Sequence, residues 1–146
     1  MDKRLPSSAR LLGLAGLLPQ LICFVSIFDE SARYVALSAA FFYAALIFSF
    51  VGGLWWGLAV AKPGAPQCIY GVAIAPSLIA LFSGIPWMIG ATSPGPSLAL
   101  LGAALILALT VDTRLNRIGV MPDSMFQLRK ILSLGLGVLT LLIAAF

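Results

Sequence analysis

The chain has 146 residues, of which 61% are hydrophobic and only 10% are charged, and its mean hydropathy is +1.07. So few polar side chains cannot cover a soluble globule of this size, and the composition therefore excludes an ordinary soluble domain and indicates a membrane protein. The net charge of +4 comes mainly from the amino-terminal segment and one later loop, where anionic lipid headgroups explain it more simply than a nucleic-acid partner does.

Five apolar runs follow one another along the chain, and a membrane-spanning helix needs about 20 residues. We predict spans over residues 11–28, 34–61, 68–89, 97–111 and 131–146. The fold class is then an all-α polytopic bundle that forms a single transmembrane domain, residues 1–146. The second run must tilt or protrude because it is long, and the fourth is short.

The first run follows a basic segment, as a secretory signal does, but it has no small-residue cleavage site at its end. It also contains Pro19 and Gln20, which are unusual in the apolar part of a signal. We therefore expect the first run to be retained as a span.

The basic residues predict the orientation of these spans. Loops rich in Lys and Arg remain on the cytoplasmic side, and eight of the nine basic residues fall there if the amino terminus is inside. Only Arg33 is then outside, and the carboxyl terminus is also outside. We expect a multi-pass protein of the bacterial inner (cytoplasmic) membrane. The eight residues are Lys3, Arg4, Arg10, Lys62, Arg114, Arg117, Arg129 and Lys130.

The longest polar segment, residues 112–130, mixes basic and apolar side chains and is divided by Pro122. Such a segment can lie along the headgroup layer with its apolar side chains toward the lipid. We predict that its basic residues contact anionic headgroups; they are Arg114, Arg117, Arg129 and Lys130.

The second run carries small residues at every fourth position, which places them on one helix face. They are Ala45, Ser49, Gly53, Gly57 and Ala61, called here the small-residue stripe. Transmembrane helices approach closely at such faces. The stripe predicts close packing inside the bundle; the alternative is a surface for a second copy or another protein.

Two prolines fall inside predicted spans, Pro19 and Pro76, and each removes a backbone donor and frees a carbonyl group. We expect simple kinks whose carbonyls are satisfied locally. The alternative is a polar cavity lined by Gln20, Tyr43 and Ser77.

Asp, Glu, Lys and Arg are missing from the interior of the predicted spans; Asp112 lies at a boundary. Proton-coupled pumps need such residues, and no nucleophile and base are paired for catalysis. The acidic pair Asp29 and Glu30 fits a solvated turn. The chain contains no histidine, the usual ligand for haem, bacteriochlorophyll or zinc. We expect no enzyme activity, cofactor or metal.

Several segments in order along nearly the whole chain resemble a family of small multispanning proteins catalogued as a domain of unknown function. These segments are LGLAGLLP (12–19), FSFVGGLWWG (48–57), PSL (76–78), DTRL (112–115) and GVMP (119–122). The family is found in proteobacteria and has a mitochondrial transmembrane relative in animals. The resemblance implies an inner-membrane location and no established activity.

Two functions remain open at this level. The first is a non-catalytic accessory or assembly subunit that packs against a larger inner-membrane complex, respiratory or photosynthetic. It fits the small size and the close-packing face. The second is a small uncoupled transporter or channel that acts as a homo-oligomer, because five such spans enclose little volume.

Overall fold

The structure is a computed structural model that describes residues 4–146 of the chain. The described part is all-helical and contains six α-helices. They are α1 (Ser7–Ala15), α2 (Leu18–Ser26), α3 (Arg33–Ala61), α4 (Cys68–Met88), α5 (Pro94–Arg117) and α6 (Asp123–Ala144).

Five helical stretches are long and apolar enough to cross a membrane. Helices α1 and α2 together form the first of them, Ser7–Ser26, and α3 to α6 supply one each. This confirms the predicted all-helical fold with five candidate spans and indicates a multi-pass membrane protein. The orientation of the termini and the identity of the membrane stay predictions.

The first span is broken between α1 and α2, at Gly16 and Leu17. Pro19 stands near the start of α2, where its missing N–H matters least. The carbonyl of Gly16 accepts a hydrogen bond from the Tyr43 hydroxyl of α3. A side chain of the next span therefore satisfies backbone that the break leaves unpaired, as expected for a locally satisfied kink.

Pro76 does not interrupt its helix. Helix α4 runs unbroken from Cys68 to Met88 with Pro76 and Pro86 inside it. Pro76 is buried, and its ring lies 3.3 Å from the position that a Cβ on Gly52 of α3 would occupy. The proline therefore serves as a packing surface between α3 and α4.

The fourth and fifth spans are longer than the sequence predicted. Helix α5 has 24 residues and α6 has 22, whereas the predicted runs ended at residue 111 and began at residue 131. The prediction of a headgroup-lying segment over residues 112–130 was wrong. Residues 112–117 complete α5, a short turn follows, and α6 begins at Asp123 directly after Pro122.

The turn between α5 and α6 depends on Gly119, which has a φ of 73°. This left-handed conformation ends helices and is cheapest for glycine. It allows the Val120 N–H to donate to the Leu115 carbonyl at 2.9 Å. Asn116 then binds both the Met121 carbonyl and the Asp123 carboxylate, which fixes the start of α6 against the end of α5.

Helices α5 and α6 form the most extensive pair in the bundle. Their backbones meet at Gly102 and Gly137, where a Cβ on either residue would lie 3.0 Å from the carbonyl oxygen of the other. Small residues permit this approach, which supplies the van der Waals contact that holds helices together in lipid.

Helix α3 lies at the centre of the bundle and contacts α2, α4, α5 and α6. Its buried positions recur every three or four residues, as expected for one face of a helix. They include Phe41, Ala44, Phe48, Val51, Trp55 and Ala59. This face determines which α3 side chains reach the interior.

Candidate functional site

Asp112 is buried because it continues the inward face of α5. The buried positions of this helix recur at helical spacing, and Asp112 is one of them; the set includes Leu101, Leu105, Ala108, Asp112 and Leu115. Its carboxylate is fully buried. An ionised side chain in such a place needs partners that replace water.

Three helices meet at this carboxylate. Trp55 Nε1 of α3 donates to Asp112 Oδ1 at 2.7 Å. Arg129 of α6 donates to Asp112 Oδ2 from Nε at 3.2 Å and from Nη2 at 3.0 Å. The Arg129 side chain is itself buried, and this is the one ion pair within residues 4–146.

The headgroup prediction for Arg129 was wrong. Its side chain is buried against Asp112, as is the side chain of Trp55. The available signal was helical spacing. Arg129 belongs to the same buried face of α6 as Ser133, Leu136 and Thr140.

The arrangement indicates that Asp112 links three helices and does not favour a role for it as a catalytic base. Both Asp112 oxygens accept hydrogen bonds from donors of the chain itself, and the positive charge of Arg129 balances the carboxylate. Buried ion pairs lose much of their Coulombic gain to desolvation, but breaking one leaves an uncompensated charge. These three residues, Trp55, Asp112 and Arg129, are called here the buried triad. The triad therefore fixes how α3, α5 and α6 are placed relative to one another.

The three residues predicted to line a polar cavity are not brought together. Gln20 is buried, and its Nε2 donates to Thr140 Oγ1 of α6 at 2.8 Å. Tyr43 binds the Gly16 carbonyl. Ser77 is exposed on α4 beside α3. Gln20 therefore bonds within the protein, but to another helix and not to backbone freed by Pro19.

Two buried polar atoms have no hydrogen-bond partner among the described residues: Gln20 Oε1 and Ser133 Oγ. The amide orientation of Gln20 follows from Thr140, whose hydroxyl already donates to the Leu136 carbonyl at 2.7 Å and can only accept from Gln20. Oε1 is thus the atom without a partner. Such atoms are typical positions for an internal water.

The small-residue stripe faces away from the bundle over its carboxyl-terminal half. Gly53, Gly57 and Ala61 are exposed, and a Cβ on either glycine would meet nothing within 4 Å. The prediction that the stripe packs inside the bundle was wrong at these glycines. Gly52 makes the close contact instead, since a Cβ there would collide with the Ala73 carbonyl of α4.

The other half of the stripe borders a groove between α3 and α4. Ala45 and Ser49 line this open groove of about 310 Å³ together with Ser77. The stripe and the groove form one surface, called here the α3–α4 face. The stripe residues of this face are small, which permits another helix to approach the backbone of α3 closely along them.

The remaining predicted headgroup residues are at the surface or partly so. Arg114 and Arg117 are exposed and make no ion pair within residues 4–146. Lys130 is partly buried, with Nζ 5.1 Å from the centre of the Phe126 ring. Headgroup contact by these three residues stays a prediction.

The acidic pair lies in the exposed turn between α2 and α3. Asp29 Oδ1 accepts hydrogen bonds from the Ser31 hydroxyl at 2.7 Å and the Ser31 N–H at 2.9 Å. The hydroxyl bond, followed by the N–H bond, lowers the pKa of the Asp29 carboxyl from its ordinary value. This is a turn-stabilising arrangement.

No group of three or more Cys, Asp or Glu side chains in residues 4–146 is placed to hold a metal ion. The expectations of no cofactor and no enzyme activity stay predictions.

Comparison with known proteins places the chain in a family. No curated protein and no solved structure matches it significantly. The family described as "Protein of unknown function (DUF3429)" matches residues 5–146, which is nearly the whole chain. This agrees with the resemblance seen in the sequence motifs. The chain therefore belongs to the DUF3429 family.

Proposed function

We propose that this protein is a non-catalytic accessory or assembly subunit that packs against a larger inner-membrane complex, respiratory or photosynthetic. The observation that carries the proposal is the α3–α4 face. Gly53 and Gly57 are exposed in the carboxyl-terminal half of a long apolar helix, and a Cβ on either would meet no described residue within 4 Å.

Helical glycines elsewhere in the bundle support this interpretation. Gly52, Gly84, Gly102 and Gly137 each lie against a neighbouring helix, so a Cβ there would meet atoms at 3.0 Å or less. Glycine weakens a helix by about 1 kcal/mol relative to alanine, and close packing compensates that cost. Gly71 of α4 also lacks such a contact, but it stands alone, whereas Gly53 and Gly57 share one helix face. At this pair the compensation would come from a helix of another protein.

The apolar surface around this face is suited to a membrane partner. Leu46, Phe50 and Val60 of α3 are each more than 60% exposed. In lipid such side chains have no hydrophobic reason to associate, so small residues that permit close contact decide where helices meet. A stripe flanked by large apolar side chains fits a partner helix laid along α3.

Purification from the native membrane in mild detergent tests the proposal, with mass spectrometry of co-migrating proteins. A stoichiometric larger partner is expected with the native chain. Gly53→Leu and Gly57→Leu should release it without destabilising the isolated protein. Gly71→Leu is the matched control, because Gly71 of α4 is exposed and also has no neighbour within 4 Å. A partner retained by both stripe variants would contradict the proposal.

A small uncoupled transporter or channel is the second candidate, favoured by the unpaired Gln20 Oε1 and Ser133 Oγ in the interior. Purification would then yield only a complex of identical chains. Reconstituted vesicles would show selective solute flux that Gln20→Leu abolishes while the protein still folds.

A further inference from the structure

We infer that the groove between α4 and α5 binds one anionic phospholipid, with its phosphate on Arg114 and Arg117 and the upper part of an acyl chain on the groove wall. This groove, called here the α4–α5 groove, is open and has a volume of about 350 Å³. The inference is independent of the proposed accessory role.

The wall of the α4–α5 groove is apolar. Ile69 and Val72 line it from α4, and Val111, Leu115 and Ile118 line it from α5 and the following turn. From residue 111 to residue 118 the groove follows α5 for about 10 Å, at 1.5 Å per residue. A wall of this kind suits hydrocarbon and offers nothing to a polar solute.

The charged end of the groove is formed by Arg114 and Arg117. A third cation lies close by: Lys62 Nζ is 3.9 Å from the position that a Cβ on Gly119 would occupy. Guanidinium groups bind phosphate through two parallel hydrogen bonds, which an ammonium group cannot do.

No carboxylate in residues 4–146 forms an ion pair with these cations. Asp112 is held by Arg129 and Trp55, and Asp123 accepts from Asn116. Asp29 and Glu30 lie in the turn after α2, and α2 packs against α3 and α6. The positive charge of Lys62, Arg114 and Arg117 is therefore available to a ligand, and it complements a headgroup with net negative charge.

An apolar wall together with a basic end favours a lipid as the ligand of this groove. A soluble phosphate would use the arginines and leave the apolar wall in contact with the bilayer, while a neutral hydrocarbon would leave the arginines unpaired. An anionic phospholipid uses both parts, with the headgroup at the end of α5 and the chain running toward the middle of the membrane.

Cys68 supplies a reporter already built into the groove. It is exposed and lines the groove, whereas Cys23 is buried. The reaction of a maleimide with the full-length protein in mild detergent therefore measures access to the α4–α5 groove. A lipid seated there should slow this reaction.

The experiment titrates phosphatidylglycerol, phosphatidylcholine or inorganic phosphate into the purified protein and follows the modification of Cys68. Phosphatidylglycerol is expected to protect Cys68 at much lower concentration than phosphatidylcholine, and phosphate is not expected to protect it. Arg114→Gln with Arg117→Gln should weaken protection by phosphatidylglycerol about thirtyfold, since each cation near an anionic headgroup contributes a factor of about five.

A charge-matched control distinguishes a site from general attraction. Arg4→Gln with Arg10→Gln also removes two charges, but neither residue lines the groove. This variant should retain protection. Equal loss in both double variants, equal protection by both lipids, or protection by phosphate alone would each overturn the inference. The lipid comparison on the native chain stands even if a variant fails to fold.

Discussion

Arg33 is the only basic residue that the predicted orientation leaves outside, and the structure gives it a local task. Its Nε donates to the Ile27 carbonyl at the end of α2, at 3.0 Å. A cation at a helix carboxyl terminus satisfies an orphan carbonyl and interacts favourably with the helix dipole. The exception to the charge pattern therefore has a structural cause.

The buried triad yields the sharpest prediction at the residue scale. Asp112→Ala leaves the Arg129 guanidinium buried without its counter-charge, which should lower the free energy of unfolding by about 3–5 kcal/mol. Denaturation in mild detergent measures this. Arg114→Gln changes an exposed residue on the same helix that has no ion pair within residues 4–146, and it should alter this free energy by less than about 0.5 kcal/mol.

Replacement of both charges distinguishes a broken pair from lost packing. Asp112→Leu combined with Arg129→Met removes the whole ion pair and should cost much less than the sum of the single changes, since apolar replacement of a buried pair is often tolerated. Additive losses would show that the two side chains act separately.

Gln20 and Thr140 form a second buried pair, in which Gln20 needs Thr140 as a partner more than Thr140 needs Gln20. Thr140→Val removes the only partner that the Gln20 amide has among residues 4–146 and should cost about 1–3 kcal/mol. Gln20→Leu should be nearly neutral, because Thr140 keeps its own bond to the Leu136 carbonyl. The double variant should then be as stable as Gln20→Leu alone. A large loss in Gln20→Leu would argue for an interior water network that depends on the amide.

At the scale of the helices, the close contact of α5 and α6 replaces the packing role first assigned to α3. Gly102→Leu or Gly137→Leu should force these backbones apart, because a Cβ at Gly137 would already lie 2.5 Å from Ile106 Cγ1. Overpacking typically costs about 1–3 kcal/mol. Reduced accumulation and a lower melting temperature in detergent are the expected readouts.

The matched helix substitution is Gly53→Leu, in which the same side chain enters open space. It should leave the isolated protein as stable as the native chain. Destabilisation equal to that of Gly102→Leu would mean that α3 packs within the chain through its small-residue stripe after all.

At the scale of the whole molecule, contacts between distant segments bring basic residues from different parts of the chain to one end of the bundle. Arg4 and Arg10 line one cavity with Ser124 at the start of α6, and Lys62 lies near Gly119. At the other end, the Phe28 ring lies 5.2 Å from the Phe146 ring. The structure thus agrees with a charge asymmetry between the two ends of the bundle.

Topology reporters test which face is cytoplasmic. Fusions after Lys62, Gly95 and Phe146 should report inside, outside and outside, because loops rich in Lys and Arg are retained in the cytoplasm. The three sites have no common helix, so each reports on a different loop or end. An inside signal at Phe146 would contradict the total of five spans, because an odd number of spans puts the two termini on opposite sides.

The sequence determined the number and approximate position of the spans. Lipid cannot hydrogen-bond the backbone, so each span must be a helix, and a helix needs about 20 apolar residues to cross the hydrocarbon. Such runs are visible in the hydropathy of the sequence alone. The bounds of α3 and α4 agree closely with the predicted runs. The lengths of α5 and α6 did not, since Asp112 and Arg129 were read as markers of helix ends. A helix can continue past a charged residue inside a bundle when that residue is neutralised by an opposite charge on another helix, as Asp112 and Arg129 neutralise each other.

Only the tertiary structure decided which residues face one another. Helical spacing gives the faces of α3, but the choice between the face of Trp55 and that of Gly53 depends on where α4, α5 and α6 pack. The same holds for Asp112, whose partners are 57 and 17 residues away in the chain. Periodicity along one helix carries no information about its neighbours, and pairing across helices is a property of the assembled bundle.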